Sequence, residues 1–373
     1  REGGTESMAA KASASPVSLI AFYIFWFVGN YYYNLYNKKA STEAGGPAGG
    51  ITITISVIQI VVCAAYAVIL WLVGLNPAPL IGLKPPTKQP FPKLKNTDVL
   101  TLMPLTLCYA FAHSAGVVAL TAGSPAFGQI VKAAEPVFSA VVNTVFYGKS
   151  PSISKWLILP IIVGGVAIST LKPKPGGGYD IDFDTTALIA GSIGNMFAAF
   201  KGSENHKAME KPGLKDRIGG VGNQFALTNV LSLIFLVPLM LVFEAAKWGD
   251  FMALFKSSAS FRFNLIASGM AFYLYNELAT MTIKATGAVT ASVANTAKRA
   301  IVIVGMAIAL GNPLKFEEKV GASIAIVGVF LYSIIDELLK SAKGAPKKKE
   351  EVGSPHFASP ARSTRSKTKK MLD

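Results

Sequence analysis

The sequence predicts an all-α membrane protein with ten transmembrane helices in two inverted five-helix repeats. Three observations predict this fold class: an apolar composition, ten apolar windows of bilayer length, and an internal repetition of polar residues. Hydrophobic residues make up 51% of the 373 residues and charged residues only 15%, and the mean hydropathy is +0.43. Soluble domains carry about 25% charged residues, so we expect lipid to cover the apolar surface of this chain.

The ten windows follow from the length that a bilayer requires. A helix needs about 20 mostly apolar residues to cross it, and between the second and third windows six prolines and several lysines predict a loop at residues 76–95. An even number of spans places both termini on one side, and the basic loops of that side predict the cytoplasm-equivalent face. The windows are residues 17–37, 50–74, 98–121, 124–147, 154–171, 185–207, 221–245, 263–284, 287–310 and 320–340.

An internal comparison predicts the two repeats. Tyr109 and Lys132 are 23 residues apart, and so are Tyr275 and Lys298, with an offset of 166 residues between the two pairs. Each pair lies in two adjacent windows joined by a short turn. The alternative is chance similarity between apolar helices, and the matched tyrosine and lysine positions argue against it.

Gly-Asn pairs at residues 29–30 and 194–195 extend the comparison to the first and sixth windows. Because five is an odd number, the second repeat must be inserted upside down relative to the first, which is the architecture of many secondary transporters. The predicted organisation is a flexible N-terminus (1–16), a first repeat (17–171), a connecting loop (172–184), a second repeat (185–340) and a disordered basic tail (341–373).

Three cations lie in the interior of predicted spans: Lys132 in the fourth, and Lys298 and Arg299 in the ninth. A cation at the centre of a span costs at least about 2.5–3.5 kcal/mol, so it usually faces a cavity and serves function. In an inverted fold these positions approach a common depth. Arginine offers a planar fork, lysine a point charge and tyrosine a further hydrogen bond, and this combination favours a phosphate dianion.

Charge pairing is the alternative interpretation of these cations. Glu135 follows Lys132 by three residues, a spacing at which a helical ion pair can form. Glu204 or Glu277 could neutralise the remaining cations.

Two further polar residues are candidates for the site. His113 follows Tyr109 by four residues, which places both on one helix face, and it could bind the end of a ligand opposite its phosphate or serve as a packing residue. Lys201 lies near the end of the sixth window, so it could line the site or extend its amine to the membrane surface.

Several classes of function are not expected. Cys63 and Cys108 lie in apolar runs and the three histidines show no ligand spacing, so we expect no disulfide, metal or cofactor. We expect no enzyme activity, because the span interiors hold no Asp and no evident nucleophile with a base. Residues 343–373 carry nine basic and three acidic residues, but no readout module for nucleic acid accompanies them. Contact with anionic lipid suits this tail better.

Four segments resemble a known family. They are IVKAAEPVFSA, YNELAT, ANTAKRAIVIVG and FWFVGNYYYNLYNKKA, and they are similar to segments of the plastid triose-phosphate/phosphate translocators, within the drug/metabolite transporter superfamily. The resemblance covers roughly residues 20–340. It implies ten helices in two inverted halves and an antiporter that exchanges triose phosphates or 3-phosphoglycerate for inorganic phosphate. A related phosphoenolpyruvate, hexose-phosphate or nucleotide-sugar transporter is the alternative.

The resemblance also implies a location and partners. It implies a multi-pass protein of the plastid (chloroplast) envelope with both termini on the stromal side, so the lipid bilayer, phosphorylated metabolites and inorganic phosphate are its expected partners. The chain begins with Arg1 and a Gly/Ser/Ala-rich stretch, which is typical of a terminus left by removal of a transit peptide, or of a truncated chain.

Individual residues match the family's site. Lys132, Lys298 and Arg299 match its phosphate-binding cations, Tyr275 its phosphate-facing tyrosine, and His113 the histidine near the three-carbon end.

Three positions depart from the family pattern. Gly116 replaces a binding threonine, Lys201 replaces an arginine at the carbon end, and Glu277 replaces a more usual glutamine. These departures leave the choice among C3, phosphoenolpyruvate and hexose phosphates open.

Overall fold

The computed structural model describes residues 16–175, 177–181, 183–286 and 288–342. The flexible N-terminus and the basic tail that the sequence predicts lie outside these residues, apart from residue 16 and residues 341–342. The described helices are α1 (Pro16–Glu43), α2 (Thr52–Val73), α3 (Asn96–Ala122), α4 (Pro125–Ala133), α5 (Glu135–Tyr147), α6 (Ile153–Ile168), α7 (Thr185–Met209), α8 (Leu214–Ile218), α9 (Val221–Glu244), α10 (Trp248–Ser257), α11 (Ala259–Thr286), α12 (Ala288–Ala309) and α13 (Phe316–Ala342).

The predicted fourth span is broken into α4 and α5 at Ala134. Pro136 has no N–H to donate to the carbonyl of Lys132, and its ring would clash with that carbonyl in a continuous helix. The N–H of Ala134 instead donates to the carbonyl of Val131 at 3.0 Å, which tightens the last turn of α4. Lys132 therefore lies in the last turn of α4, and Glu135 is the first residue of α5.

Two antiparallel hairpins lie in the segments that the sequence predicts as loops. β1 (Leu75–Asn76) pairs with β2 (Thr87–Lys88), and β3 (Leu171–Pro173) pairs with β4 (Tyr179–Ile181). A short 3-10 helix at Ala78–Gly82 lies between β1 and β2. The described part of the chain is thus mostly helical, as predicted, with four short strands that were not predicted. Strands of two or three residues give no alternating pattern that a sequence could reveal.

Four helices in the described part of the chain are long and apolar enough, by length and composition, to cross a membrane: Thr52–Val73, Asn96–Ala122, Gly222–Ser257 and Phe316–Leu339. Helices α1, α7 and α11 have 28, 25 and 28 residues but are more polar. The same three helices contribute to the cavity described below.

Helices pack in pairs that join the two predicted repeats. The most extensive contacts among the described helices are α1 with α11 and α3 with α7, followed by α6 with α13 and α2 with α9. Small residues allow close approach in these pairs. A Cβ on Gly29 would lie 3.0 Å from Cβ of Tyr275, and a Cβ on Gly165 would lie 2.5 Å from the backbone nitrogen of Ala325.

A buried carboxylate joins α9 to α2. Glu244, at the end of α9, accepts hydrogen bonds from the backbone N–H groups of Ile53 (2.8 Å) and Thr54 (2.6 Å), and from the Thr54 hydroxyl (2.8 Å). The first N–H groups of a helix have no partner within the helix, and the helix dipole favours an anion there. Glu244 therefore caps α2 across the interface of the predicted repeats.

The segment from Gly74 to Lys95, which we name the α2–α3 loop, covers the ends of several helices. The amide of Asn223 on α9 donates to the carbonyl of Pro90 at 2.8 Å. The hydroxyl of Ser18 on α1 donates to the carbonyl of Gly82. The loop is thereby attached to helices of both predicted repeats.

Candidate functional site

A cavity of about 250 Å³ lies among α1, α3, α4, α5, α7, α9, α11 and α12. Its lining comes from both predicted repeats. All six of the predicted site residues line it: Lys132, Lys298, Arg299, Tyr275, His113 and Lys201. Their binding roles remain predictions, but the structure brings the six side chains together.

Lys132 reaches the cavity from the last turn of α4, and its amine lies against α3. A Cβ on Gly116 would lie 3.1 Å from Nζ of Lys132, so the glycine leaves the space that the ammonium group approaches. The amide of Asn195 on α7 donates to the carbonyl of Val131 at 2.9 Å, which holds the end of α4 in place.

Lys298 and Arg299 enter the cavity from the middle of α12 and meet different partners. Nζ of Lys298 lies 5.5 Å from the ring centroid of Tyr275 and 5.3 Å from that of Trp26, within the range of cation–π attraction. Nη2 of Arg299 lies 2.8 Å from Oε2 of Glu135, and both side chains are mostly buried.

This geometry corrects the charge-pairing alternative. Glu135 forms its described ion pair with Arg299 rather than with Lys132, because the break at Ala134 places it at the start of a new helix. The other two acids lie elsewhere: Glu204 bonds to Tyr147 and Lys207, and Glu277 bonds to Asn76.

His113 and Lys201 line the cavity on the side of α3 and α7. The His113 ring lies 4.6 Å from that of Phe272, and its Nε2 has no hydrogen-bond partner among the described residues. Nζ of Lys201 lies 5.8 Å from the ring centroid of Tyr109. The proposed extension of Lys201 to the membrane surface is wrong, because α7 continues to Met209 and the side chain faces the cavity.

Amide side chains form much of the remaining lining, which is not predicted from the sequence. Nε2 of Gln129 donates to Oδ1 of Asn34 at 2.7 Å, and Nδ2 of Asn34 donates to the carbonyl of Asn30 at 2.7 Å. The Gly-Asn repetition was the available signal, since it marks two of these residues. The amides are Asn30, Asn34, Gln129, Asn195, Asn205, Gln224, Asn276 and Asn295.

The described lining carries four cations and one carboxylate, which leaves a formal charge of +3. Arginine and lysine together suit an oxyanion such as phosphate, and amides can bind hydroxyl groups. The arrangement can therefore hold a small anion that carries hydroxyl groups.

Comparison with known proteins agrees with this chemistry. The Triose-phosphate Transporter family matches residues 17–333. A chloroplastic triose phosphate/phosphate translocator of Zea mays is 29% identical over 326 residues, which are 86% of this chain and 72% of that protein. The corresponding protein of Pisum sativum is 28% identical over 354 residues, 91% of this chain and 80% of its own.

A third relative carries a different substrate in its name. Glucose-6-phosphate/phosphate translocator 2 of Arabidopsis thaliana, also chloroplastic, is 27% identical over 327 residues, 86% of this chain and 76% of its own. The family match covers most of the chain and includes every residue that we predict for the site. This chain belongs to the Triose-phosphate Transporter family.

Proposed function

We propose that this protein is an antiporter that exchanges triose phosphates or 3-phosphoglycerate for inorganic phosphate across a plastid membrane. The observation that carries the proposal is the meeting of Lys132 from α4 with Lys298 and Arg299 from α12 in one buried cavity. Cations so placed bind an anion whose charge replaces the lost hydration. The names of the relatives support phosphate as the shared group.

Each residue has a role in the proposal. The guanidinium of Arg299 and the ammonium groups of Lys132 and Lys298 bind the phosphate oxygens, and the hydroxyl of Tyr275 donates a further hydrogen bond. His113 and Lys201 bind the carbon end. Nε2 of His113 supports this role, since it is buried without a described partner and is free to bond to a substrate.

The proposed carrier has ten membrane-spanning helices in two inverted repeats. The packing pairs support this arrangement. In the two repeats α1 corresponds to α7, α2 to α9, α3 to α11 and α6 to α13. Exchanging the repeats therefore turns the α1–α11 pair into the α7–α3 pair and leaves the α2–α9 and α6–α13 pairs unchanged. Such symmetry is expected of a protein whose halves alternate around a central site. The proposed carrier lies in the plastid envelope with both termini on the stromal side. The chloroplastic relatives support the plastid location, and the basic loops support the orientation.

Strict exchange follows from the charges of the site. Closing the empty cavity would desolvate cations that Glu135 neutralises only in part, and burying an unpaired charge costs several kcal/mol. A bound phosphate dianion neutralises the remainder, so the two halves can move past one another when the site is loaded. Transport in one direction then requires a phosphate group returning in the other.

The test is uptake of labelled phosphate by the purified protein in liposomes. We expect rapid uptake into phosphate-loaded vesicles and slow uptake into empty ones. Equal rates in the two would refute strict exchange. Competition then separates the substrates: 3-phosphoglycerate should inhibit more strongly than phosphoenolpyruvate or glucose 6-phosphate, and the opposite order would favour the related phosphoenolpyruvate, hexose-phosphate or nucleotide-sugar carriers.

A further inference from the structure

A second buried site lies outside the transport cavity, around Glu277 on α11. The Glu277 side chain is buried, with 2% of the residue exposed. Its Oε1 accepts a hydrogen bond from the amide of Asn76 on β1, whereas its Oε2 has no hydrogen-bond partner among the described residues. None of the described ion pairs includes this carboxyl group.

The surroundings of Glu277 are polar but uncharged. A Cβ on Gly222 of α9 would lie 3.5 Å from Oε1 of Gln89 and 3.7 Å from Oε1 of Glu277, so the α2–α3 loop and α11 meet at this point of α9. Nε2 of Gln89 and Oη of Tyr273 are buried beside the carboxyl group, and the phenol interacts with Gln89. The amide nitrogen is a donor, whereas the phenol oxygen and the amide oxygen of Gln89 can also accept a hydrogen bond.

The titratable groups that face Glu277 are the phenols of Tyr66 on α2 and Tyr273 on α11. Both are neutral near physiological pH. The other groups near Glu277 are the amide side chain of Asn76 on β1 and the backbone of Gly222 on α9. These groups offer hydrogen bonds but no positive charge, so they compensate an ionised carboxylate only in part.

We propose that Glu277 is a proton-binding site that holds the α2–α3 loop closed on α11. An ionised carboxylate without a cation is unfavourable in a buried position. Addition of one proton to the carboxylate gives a neutral carboxylic acid and supplies an O–H that Oε2 can donate to Oη of Tyr273 or to the amide oxygen of Gln89. Loss of that proton requires water at the carboxylate, and water enters only when the loop moves away.

The position of Glu277 links this site to transport. Tyr275 lies two residues before it on the same helix and lines the cavity, while Asn76 belongs to the loop that also contacts α1 and α9. The proton therefore joins the helix that carries the phosphate-facing tyrosine to a loop attached to both repeats. The identity of the transported phosphate does not enter this inference.

Hydrogen–deuterium exchange of residues 75–89 tests the proposal. The wild type and Glu277→Gln are compared in detergent from about pH 6 to about pH 9. Glutamine cannot lose a proton, so the α2–α3 loop of the variant stays closed at every pH. Dividing the wild-type exchange rate by the variant rate removes the intrinsic effect of pH on amide exchange. Because closure of the wild-type loop requires a bound proton, we expect this ratio to rise by about tenfold per pH unit above the midpoint at which Glu277 titrates.

Asp250→Asn is the matched control, since it removes an exposed carboxylate of α10 and should follow the wild type at every pH. A ratio that stays constant with pH would overturn the proposal, and so would a Glu277→Gln loop that is already open at low pH. Should the variant fail to fold, the wild type alone decides: its 75–89 segment must gain exchange with pH faster than the β3–β4 hairpin, whose Asp180 is exposed.

Phosphate transport is measured separately, and the two readouts fail independently. If the protein does not exchange phosphate but hydrogen–deuterium exchange of residues 75–89 depends on pH as expected, only the proposed function is rejected. If the protein exchanges phosphate normally but residues 75–89 do not show that pH dependence, only the proton site is rejected.

Discussion

Replacing Glu135 with glutamine should strengthen phosphate binding and slow exchange. Oε2 of Glu135 lies 2.8 Å from Nη2 of Arg299, so a phosphate that binds Arg299 must share or replace that contact. Hydrogen bonds to charged groups contribute about 1.5–3 kcal/mol, which corresponds to about 10- to 150-fold in Kd. Because the cavity admits water, we expect a value near tenfold tighter binding, with a lower maximal exchange rate since release becomes slow.

Isothermal titration of the purified variant with phosphate measures the affinity, and counter-exchange in liposomes measures the rate. Glu204→Gln is the control, because that carboxylate bonds to Tyr147 and Lys207 rather than to a cavity cation. An unchanged or weaker affinity of Glu135→Gln would show that this carboxylate does not compete with phosphate. An equal gain in both variants would show a general effect of charge.

Three further predictions follow from single contacts. Lys298→Ala should abolish exchange while the thermal midpoint is retained, because it removes a buried charge; unfolding at ordinary temperature would instead make the residue structural. Gly116→Val should raise KM for phosphate about tenfold, since its side chain occupies the space next to Nζ of Lys132. Gly116→Ala should stay close to wild type because the lysine tip can shift, and equal KM values for the two variants would contradict this. Glu244→Ala leaves the N–H of Thr54 without its acceptor, so it should lower the free energy of unfolding by about 1–3 kcal/mol. Denaturant titration measures this change. An unchanged free energy of unfolding would mean that water replaces the carboxylate.

The sequence predicts most of the long helices, because a bilayer-length apolar run leaves a helix few alternatives. The break at Ala134 is harder to predict. Pro136 indicates a kink, but a proline inside a helix can bend it or end it, and the backbone of neighbouring helices decides which. The helix α8 has only 5 residues and lies between α7 and α9, and a segment this short shows no detectable periodicity. The same reason explains the unpredicted hairpins.

The cations of the site could be predicted because charge is rare inside an apolar helix. Most of the amides could not, since an asparagine in a helix is as compatible with packing as with a cavity; only Asn30 and Asn195 are marked by the Gly-Asn repetition. Arg299 and Glu135 are 164 residues apart, so their contact depends on how α12 meets α5 rather than on any local pattern. Local spacing favoured Lys132 as the partner of Glu135, and the tertiary arrangement overrides it.

The interruption between α4 and α5 has a mechanical consequence. A continuous helix turns as one rod, whereas two segments joined at Ala134 can change their mutual angle. Lys132 travels with one segment and Glu135 with the other, so bending at this joint alters the distance between an ammonium and a carboxylate without any change of rotamer. The charges that face a bound anion would then differ between the two orientations of the proposed carrier.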